Sequence, residues 1–338
     1  MSVAVSVVIV NFNRRDLLDP CLESLWNQTF RDFDVIVVDN GSSDGSVEFL
    51  RKNSRVQTVE LASNHGFSGG CNAGIRQAQG RYIATLNNDA EAEPRWLEEL
   101  VRAMETHPEA GMCASKILFH ADRRRIDKAA HLIYWDGLNH GRGSGEPDTG
   151  QYEVMGEALF PDGAAALYRR EMLDQVGLFD ESFFAYGDDA DLGLRGRLAG
   201  WTCIYVPKAI VFHIHSATAG EFSGLKAFLI ERNRFFVAVK LFPLPLLLVS
   251  PLFTILRFAF HAYGALFMVG SSGQFAAGAS RKNLIGAILK AYWSALKHLP
   301  EMWRSRRLIR RKARLNDRAF FQLLWKYRIR LRALTLGS

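Results

Sequence analysis

The chain has 338 residues, 48% apolar and 23% charged, a balance that excludes a disordered or collagen-like polymer and accommodates one large α/β domain with an appendage. Its net charge of +7 averages two unlike parts: residues 281–338 carry 16 Lys/Arg against two acids, a net +14, and residues 1–280 carry a net −7. Four cysteines (Cys21, Cys71, Cys113, Cys203) stand far apart with no C-x-x-C pair, which excludes a sequence-evident zinc ribbon or redox motif and predicts buried thiols in a reducing compartment.

Val3 to Val10 is a nearly continuous β-branched run, the pattern of a strand buried on both faces. No cationic region precedes it, so no signal peptide is predicted and the body is expected in the cytoplasm. Leu17, Leu18, Cys21, Leu22, Leu25 and Trp26 recur at helical spacing. A strand over Asp34 to Val38 runs into the turn cluster Asp39 to Gly45. Val56 to Leu61 and Arg81 to Leu86 read as strands, and Ser68 to Gln79 between them as a helix entered through a Gly-rich loop. A helix over Pro94 to His107 follows, and the glycine-rich stretch Asp136 to Gly150 reads as a mobile loop. Gly163 to Tyr168 is a predicted strand, Asp189 to Ala199 a helix, Trp201 to Val206 a strand, with Ala209 to Phe212 strand-like again. Such alternation predicts a mostly parallel sheet flanked by helices.

The composition changes near Leu241. Sixteen residues without a formal charge separate Lys240 from Arg257, broken by Pro243, Pro245 and Pro251, and another 23 separate Arg257 from Arg281. A membrane helix needs ~20 apolar residues, so three readings stay open: buried core helices, interfacial or re-entrant attachment, and true spanning. The basic stretch that follows interleaves Arg304, Arg307, Arg310 and Arg311 with Trp303, Leu308 and Ile309. Next to an apolar segment, this pattern favours an anionic membrane surface over nucleic acid.

Ligands of an open parallel sheet bind beyond the carboxyl ends of its strands. Three predicted strands end there in polar residues: Asn11 and Asn13, Asp39 and Asn40, and Asn87-Asn88-Asp89. A carboxylate such as Asp89 can hold a hard divalent cation whose shell substrate phosphates complete, although the tripeptide could equally be a helix-capping turn before Glu91. Asn64 to Gly74 could offer backbone N–H groups to a phosphate at a helix start, but it is neither a Walker loop nor a dinucleotide fingerprint. Asp188, Asp189 and Asp191 cluster at another helix start, where the macrodipole favours anions. Paired carboxylates repel, and one can thereby stay basic enough to accept a proton from a sugar hydroxyl.

Taken in order, Ser6 to Asn13, Val37 to Ser46, Asn64 to Gly74, Leu86-Asn87-Asn88-Asp89 and the Gly177 to Trp201 block resemble glycosyltransferase family 2, and the Asn-x-Gly-Phe and Asn-Asn-Asp forms resemble its rhamnosyltransferase-like branch. The resemblance covers roughly residues 3 to 235. It implies a GT-A fold, Rossmann-like, in residues 1–235, with a nucleotide-sugar-binding half (1–110) and an acceptor and catalytic half (111–235), followed by a helical, apolar then basic region over 236–338. It implies transfer, with inversion, from a nucleotide-diphosphate sugar to a glycan or lipid-linked acceptor. By the same resemblance Val10, Asn11, Asn13, Asp39 and Asn40 contact the nucleoside, Asn64, Gly66, Phe67 and Asn72 close over it, and Asn87 and Asn88 complete the donor site. Asp89 matches the last acid of the family's Asp-x-Asp motif and holds Mg²⁺ or Mn²⁺; the first acid is replaced by Asn87. His213 matches a histidine that some members place on the metal, with His215 as its rival. Asp189 matches the catalytic base, Asp188 tunes it or holds the acceptor, and Asp162, Gly163, Ala164, Asp191 and Trp201 line the acceptor side.

Three other readings compete. A processive membrane synthase is expected to carry a Gln-x-x-Arg-Trp motif and several clear spans, and a nucleotidyltransferase a Gly-rich basic loop after the first strand; Asn11-Phe12-Asn13 does not match the latter. A non-catalytic nucleotide-sugar-binding scaffold with a membrane- or nucleic-acid-binding tail is disfavoured by the acids at 89, 188, 189 and 191.

Overall fold

The computed structural model describes residues 3–214, 224–266 and 281–336. His215 lies outside them, as does much of the second apolar stretch. The described chain forms two compact units, residues 1–131 with 141–218 and residues 132–140 with 219–338.

In the first unit four strands lie parallel: β1 (Val5–Asn11), β2 (Phe33–Asp39), β3 (Gln57–Glu60) and β4 (Tyr82–Leu86). Their valines and isoleucines are buried because helices cover the sheet, among them α1 (Arg15–Trp26), the short α2 (Ser46–Lys52) and α3 (Gly66–Gln77). Beyond β4 come β5 (Ala90–Ala92), α4 (Trp96–Thr106), β6 (Ala110–Phe119), β7 (Ile126–Ala129), β8 (His131–Ile133), β9 (Asn139–Gly141), β10 (Gly156–Ala158), β11 (Ala165–Arg169), α5 (Arg170–Val176), α6 (Asp188–Leu198) and β12 (Thr202–His213); β8 and β9 pair with one another, and their residues 132–140 belong to the second unit. The main sheet runs β10-β12-β6-β11-β4-β1-β2-β3, with β11 antiparallel between β4 and β6. That reversal brings the start of β11 beside the end of β4, with Ala165 opposite Leu86. Polar chain ends from both halves of the sheet thus meet at one edge. All four cysteines are buried and unbridged.

Most of the Gly-rich stretch lies inside α3, which starts at Gly66 and not at Ser68. Its glycines serve packing. A Cβ on Gly74 would lie 2.5 Å from Val8 Cγ1, and one on Gly70 2.5 Å from Val10 Cγ1, so only glycine lets α3 rest this closely on β1. Gly66 needs both its freedoms: its φ is +72°, and a Cβ there would stand 2.2 Å from the Phe184 carbonyl oxygen.

The second unit holds α7 (Gly224–Leu241), α8 (Leu244–Leu266), α9 (Arg281–Lys297), α10 (Leu299–Lys312), α11 (Asp317–Lys326) and α12 (Leu331–Leu336). A division at residue 235 would cut through α7, whose continuous helix belongs to this unit from its start. The unit also takes in residues 132–140, so the stretch expected as a mobile loop from Asp136 is a structural member. Asp136 is buried and accepts from Arg257 Nε at 2.7 Å; Arg257 also pairs with Glu231 at 2.9 Å, and Glu231 with Arg234 at 2.7 Å. Among the described residues α8 alone is long and apolar enough, over Leu244–Gly264, to cross a membrane by length and composition. Arg257 lies inside that span on the face tied to these acids, while Leu248, Leu252 and Ile255 on the other face are exposed at 78%, 58% and 65%. Exposed apolar residues recur on α9 as Ile285, Leu289 and Trp293.

Candidate active site

The ends of β1 and β2 are locked to one another. Asn11 faces Asp39 in register, and its Nδ2 donates to Asp39 Oδ2 at 3.3 Å while its Oδ1 accepts from Asn88 Nδ2 at 2.8 Å. Asp39 Oδ1 accepts the Ser42 amide at 2.8 Å, and Asn13, exposed at the rim with φ +51°, accepts the Ser43 amide at 2.8 Å. Asn40 accepts the His65 amide at 2.9 Å and donates to the Gly66 carbonyl at 2.9 Å, and Asn64 accepts the Gly66 amide at 2.8 Å. These groups form a preorganised polar floor, with Val10 packed beneath Gly70. Phe67 stands edge-on to Phe179, centroids 5.8 Å apart.

Asn72 is not part of that floor. It is buried, and it clasps Phe179 by donating to the carbonyl at 2.9 Å and accepting the amide at 3.1 Å. Its position in α3 fixes the segment leading to α6, so the expected nucleotide contact is corrected to a structural clasp. Past that segment, Phe184 and Tyr186 adopt φ of +67° and +68°, costly for non-glycine residues and typical of chain held taut at a site.

Asp89 follows β4, and His213 ends β12, two residues beyond Val211, which pairs with Ala92 of β5. The Ile214 amide donates to the Asp89 carbonyl at 2.9 Å, which brings the two side chains together: His213 Nε2 lies 3.2 Å from Asp89 Oδ1 and 3.4 Å from Asn87 Nδ2. Its Nδ1 faces Asp127 Oδ2 of β7 at 2.8 Å. Burial alone would lower the imidazole pKa, but the hydrogen bonds to Asp127 and Asp89 outweigh it and raise the ring to about 9. One hard carboxylate and one imidazole, the latter oriented by a second carboxylate, suit a divalent cation, with Asp127 as the outer partner that fixes the ring. The expected pair thus fits a metal by its donor chemistry.

The acids of α6 divide into separate environments. Asp188 is buried, accepts from Ser68 Oγ at 2.9 Å, and is pushed up to about 7 by burial and by the charge of Asp189. Asp189 faces His131, whose Nε2 lies 3.4 Å from Asp189 Oδ2 and 2.8 Å from Asp162 Oδ2. Asp162 also pairs with Lys128 Nζ at 2.8 Å. Burial would raise the Asp162 pKa, but the charge of Lys128 and the hydrogen bond from His131 hold it well below the usual carboxylate range. Asp162 Oδ1 accepts the Ala164 amide at 2.8 Å, and the Ala164 carbonyl accepts the Asn87 amide at 2.9 Å, which links this cluster to the strand carrying Asp89. Gly163 admits the Phe67 ring, 3.0 Å from where its Cβ would be. His131, Asp162 and Asp189 converge within 4.8 Å and could ligate a metal by type. Lys128 already supplies a cation there, so Asp89 with His213 is the better candidate.

Two expected acceptor residues fall elsewhere. Asp191 is fully buried and bound to Arg195 Nε at 2.7 Å, while that guanidinium also holds the carbonyls of Val176, Gly177 and Leu178; the third acid of the cluster anchors a loop. Trp201 precedes β12 at the end remote from His213. The strand's twelve residues, at ~3.3 Å each, put it roughly 35 Å from the site edge, where its indole donates to Gln175 at 2.7 Å. Asp127, Lys128 and His131 belong to no motif in the sequence, and Ser68 lies within the Asn64 to Asn72 loop without a role of its own there.

A mostly parallel sheet with one inserted antiparallel strand, and with carboxylates gathered at its carboxyl edge, is the architecture of the GT-A glycosyltransferases. The structure superposes on a mannosyltransferase from Pyrobaculum calidifontis, PcManGT, solved in complex with GDP-Man and Mn²⁺, with a TM-score of 0.53 and 17% identity over 96% of this chain and 88% of that one. The family model for glycosyl transferase family 2 matches residues 6–177, and the chain belongs to that family. It is 28% identical over 253 residues to the N-acetylglucosaminyl-diphospho-decaprenol L-rhamnosyltransferase of Mycobacterium tuberculosis, covering 65% of this chain and 79% of that protein. It is 30% identical over 230 residues to the O-antigen biosynthesis protein RfbC of Myxococcus xanthus; the match covers 63% of this chain but 17% of RfbC. A Sinorhizobium fredii relative, y4gI, is 30% identical over 64% of this chain, again over a small part, 25%, of its own length.

Proposed function

We propose that the chain is an inverting glycosyltransferase that moves a sugar, with dTDP-rhamnose the first donor to test, from a nucleotide diphosphate to a hydroxyl of a glycan or lipid-linked acceptor in bacterial cell-surface polysaccharide synthesis. The observation that carries the reading is the division of the adjacent acids of α6, one held toward its protonated form and the other facing cations, on the sheet edge that also bears Asp89 and His213. Asp189 accepts the acceptor's hydroxyl proton as that oxygen bonds to the anomeric carbon. The bond from that carbon to the diphosphate oxygen breaks on the opposite face, which inverts the centre. Asn11, Asn13, Asp39, Asn40, Asn64, Gly66, Phe67 and Asn88 border the nucleoside, and Asp188, Asp162, Gly163 and Ala164 border the acceptor. Asp89 and His213 would hold Mn²⁺ or Mg²⁺, which when bound would supply positive charge to the leaving diphosphate. The carboxylate–imidazole pair and the Mn²⁺ of the mannosyltransferase neighbour favour Mn²⁺.

Transfer assays with dTDP-rhamnose, UDP- and GDP-sugars on a polyprenyl-diphosphate sugar test the reading. Asp189→Asn is expected to lower turnover at least ~10²-fold with donor binding retained. Near wild-type turnover by the folded variant refutes the assignment.

The proposal includes attachment at the cytoplasmic face of an anionic membrane. Four buried, unbridged thiols suit the reducing side. Exposed apolar residues on α8 and α9, with exposed arginines on α10, suit a leaflet and its headgroups. The charges fixed to the inner face of α8 favour interfacial seating over spanning. Flotation with anionic vesicles, weakened by salt and by Leu252→Asp with Ile255→Asp, is expected. Resistance to alkaline carbonate would indicate spanning, and no flotation at low salt would refute attachment.

A further inference from the structure

The cluster behind Asp189 contains more charge than a proton acceptor needs. His131 sits at the start of β8, buried, its ring stacked on Phe160 at 5.1 Å between centroids and 19° between planes. Phe160 is in turn seated against Gly193 of α6, where a Cβ would lie 2.2 Å from Phe160 Cβ, so the ring wall is built onto the helix that carries Asp189. His131 Nε2 points between Asp162 and Asp189, and Asp162 is secured by Lys128 and by the Ala164 amide. A ring fixed on its face and at its edge cannot follow Asp189 if that side chain turns; it holds one orientation.

We propose that His131 is the positioning residue of Asp189: held by Asp162 and Phe160, it fixes the orientation of the Asp189 carboxylate and sets a cation against it. This inference rests on the reading of Asp189 as the base. Its physical ground is the asymmetry of the pair. Asp188 is offered a neutral hydroxyl, Ser68, while Asp189 is offered a cation. Burial and the neighbouring Asp189 charge raise the Asp188 carboxyl, and the cation stands on the Asp189 side of the pair.

The groups facing His131 and its partner carboxylates are Asp189 with Asp188 from α6, Asp162 before β11, Lys128 with Asp127 from β7, and Tyr168 from β11. Burial and the nearby carboxylates hold the Tyr168 phenol well above its usual range, so it stays neutral. Burial would lower the His131 pKa, but its bonds to Asp162 and Asp189 raise it to about 9, so the ring is cationic throughout the working range.

Removing that cation takes away the charged partner 3.4 Å from the Asp189 carboxylate. In His131→Gln, kcat at saturating donor is expected to fall about 10-fold or more with donor KM nearly unchanged. The acid limb of the kcat/KM profile should move up by about one pH unit or more. His131→Lys, which restores a cation, should recover part of both. Asp162→Asn, which leaves His131 in place without its holder, should shift the limb the same way, and carries the test if His131→Gln does not fold. On an Asp189→Asn background the His131 substitution should cost less than about twofold further, because a positioning residue has nothing left to position. A folded His131→Gln protein with the wild-type acid limb, an unmoved limb in Asp162→Asn, or equal losses with and without Asp189 each overturns the inference. Full turnover by Asp189→Asn instead overturns the assignment of the base beneath it.

Discussion

A site built for chemistry should be recoverable as lost stability, and Asp188 is the place to measure it. Buried beside Asp189, its carboxyl is raised to about 7 in the folded chain, against an ordinary 3.8. Below pH ~4 the folded and unfolded forms both hold the proton and the group costs nothing. Between ~4 and ~7 the unfolded chain releases a proton that the fold retains, so stability falls as pH rises. Above ~7 the cost is complete. A rise from 3.8 to about 7 corresponds to at most about 4 kcal/mol, at 1.36 kcal/mol per pH unit. Asp188→Asn keeps the shape and the Ser68 hydrogen bond but cannot ionise. Urea denaturation of both proteins from pH 4 to 8 should therefore show a variant more stable by about 2–4 kcal/mol at pH 8, with the gap closing toward pH 4. An Asn variant less stable at pH 8, or a gap that does not change with pH, would refute the reasoning.

Asp89→Ala should abolish the enhancement of nucleoside diphosphate binding by Mn²⁺ in calorimetric titration, with Asp127→Asn giving a smaller loss of about 10-fold because it only loosens the His213 ring; an enhancement that survives Asp89→Ala moves the metal elsewhere. Gly66→Ala meets both a positive φ and the Phe184 carbonyl, so its urea midpoint should drop by an amount equivalent to about 2 kcal/mol or more. Arg257→Met removes one of the two buried cations that Asp136 and Glu231 share, leaving Arg234 between them, and should cost about 3 kcal/mol in the second unit, read by the same denaturation.

Much of this protein was legible without coordinates. The β-branched run to Val10 must be a buried strand, and the helical spacing of Leu17, Leu18, Cys21, Leu22, Leu25 and Trp26 must face a core; α1, Arg15–Trp26, covers that run. Polar residues repeated at strand ends defined the edge where Asn11, Asp39 and Asp89 meet. Local pattern alone also misled. Asn72 and Asp191 sit in motifs that suggest ligand contact, yet Asn72 bonds the Phe179 backbone and the Glu181 carboxylate, and Asp191 bonds the Arg195 guanidinium. The glycines of α3 answer to Val8 and Val10, partners distant in sequence.

His131, Lys128 and Asp127 carry no motif, because their meaning lies in what the antiparallel insertion of β11 and the ending of β12 bring beside them. Strand periodicity states which face a residue occupies, but not which strand will be its neighbour. Sequence therefore determined the family, the sheet and the acids; only the tertiary structure decided which of two adjacent acids faces a cation. That choice depends on distances of a few ångströms between groups more than fifty residues apart, where burial and charge act together and no local spacing records them.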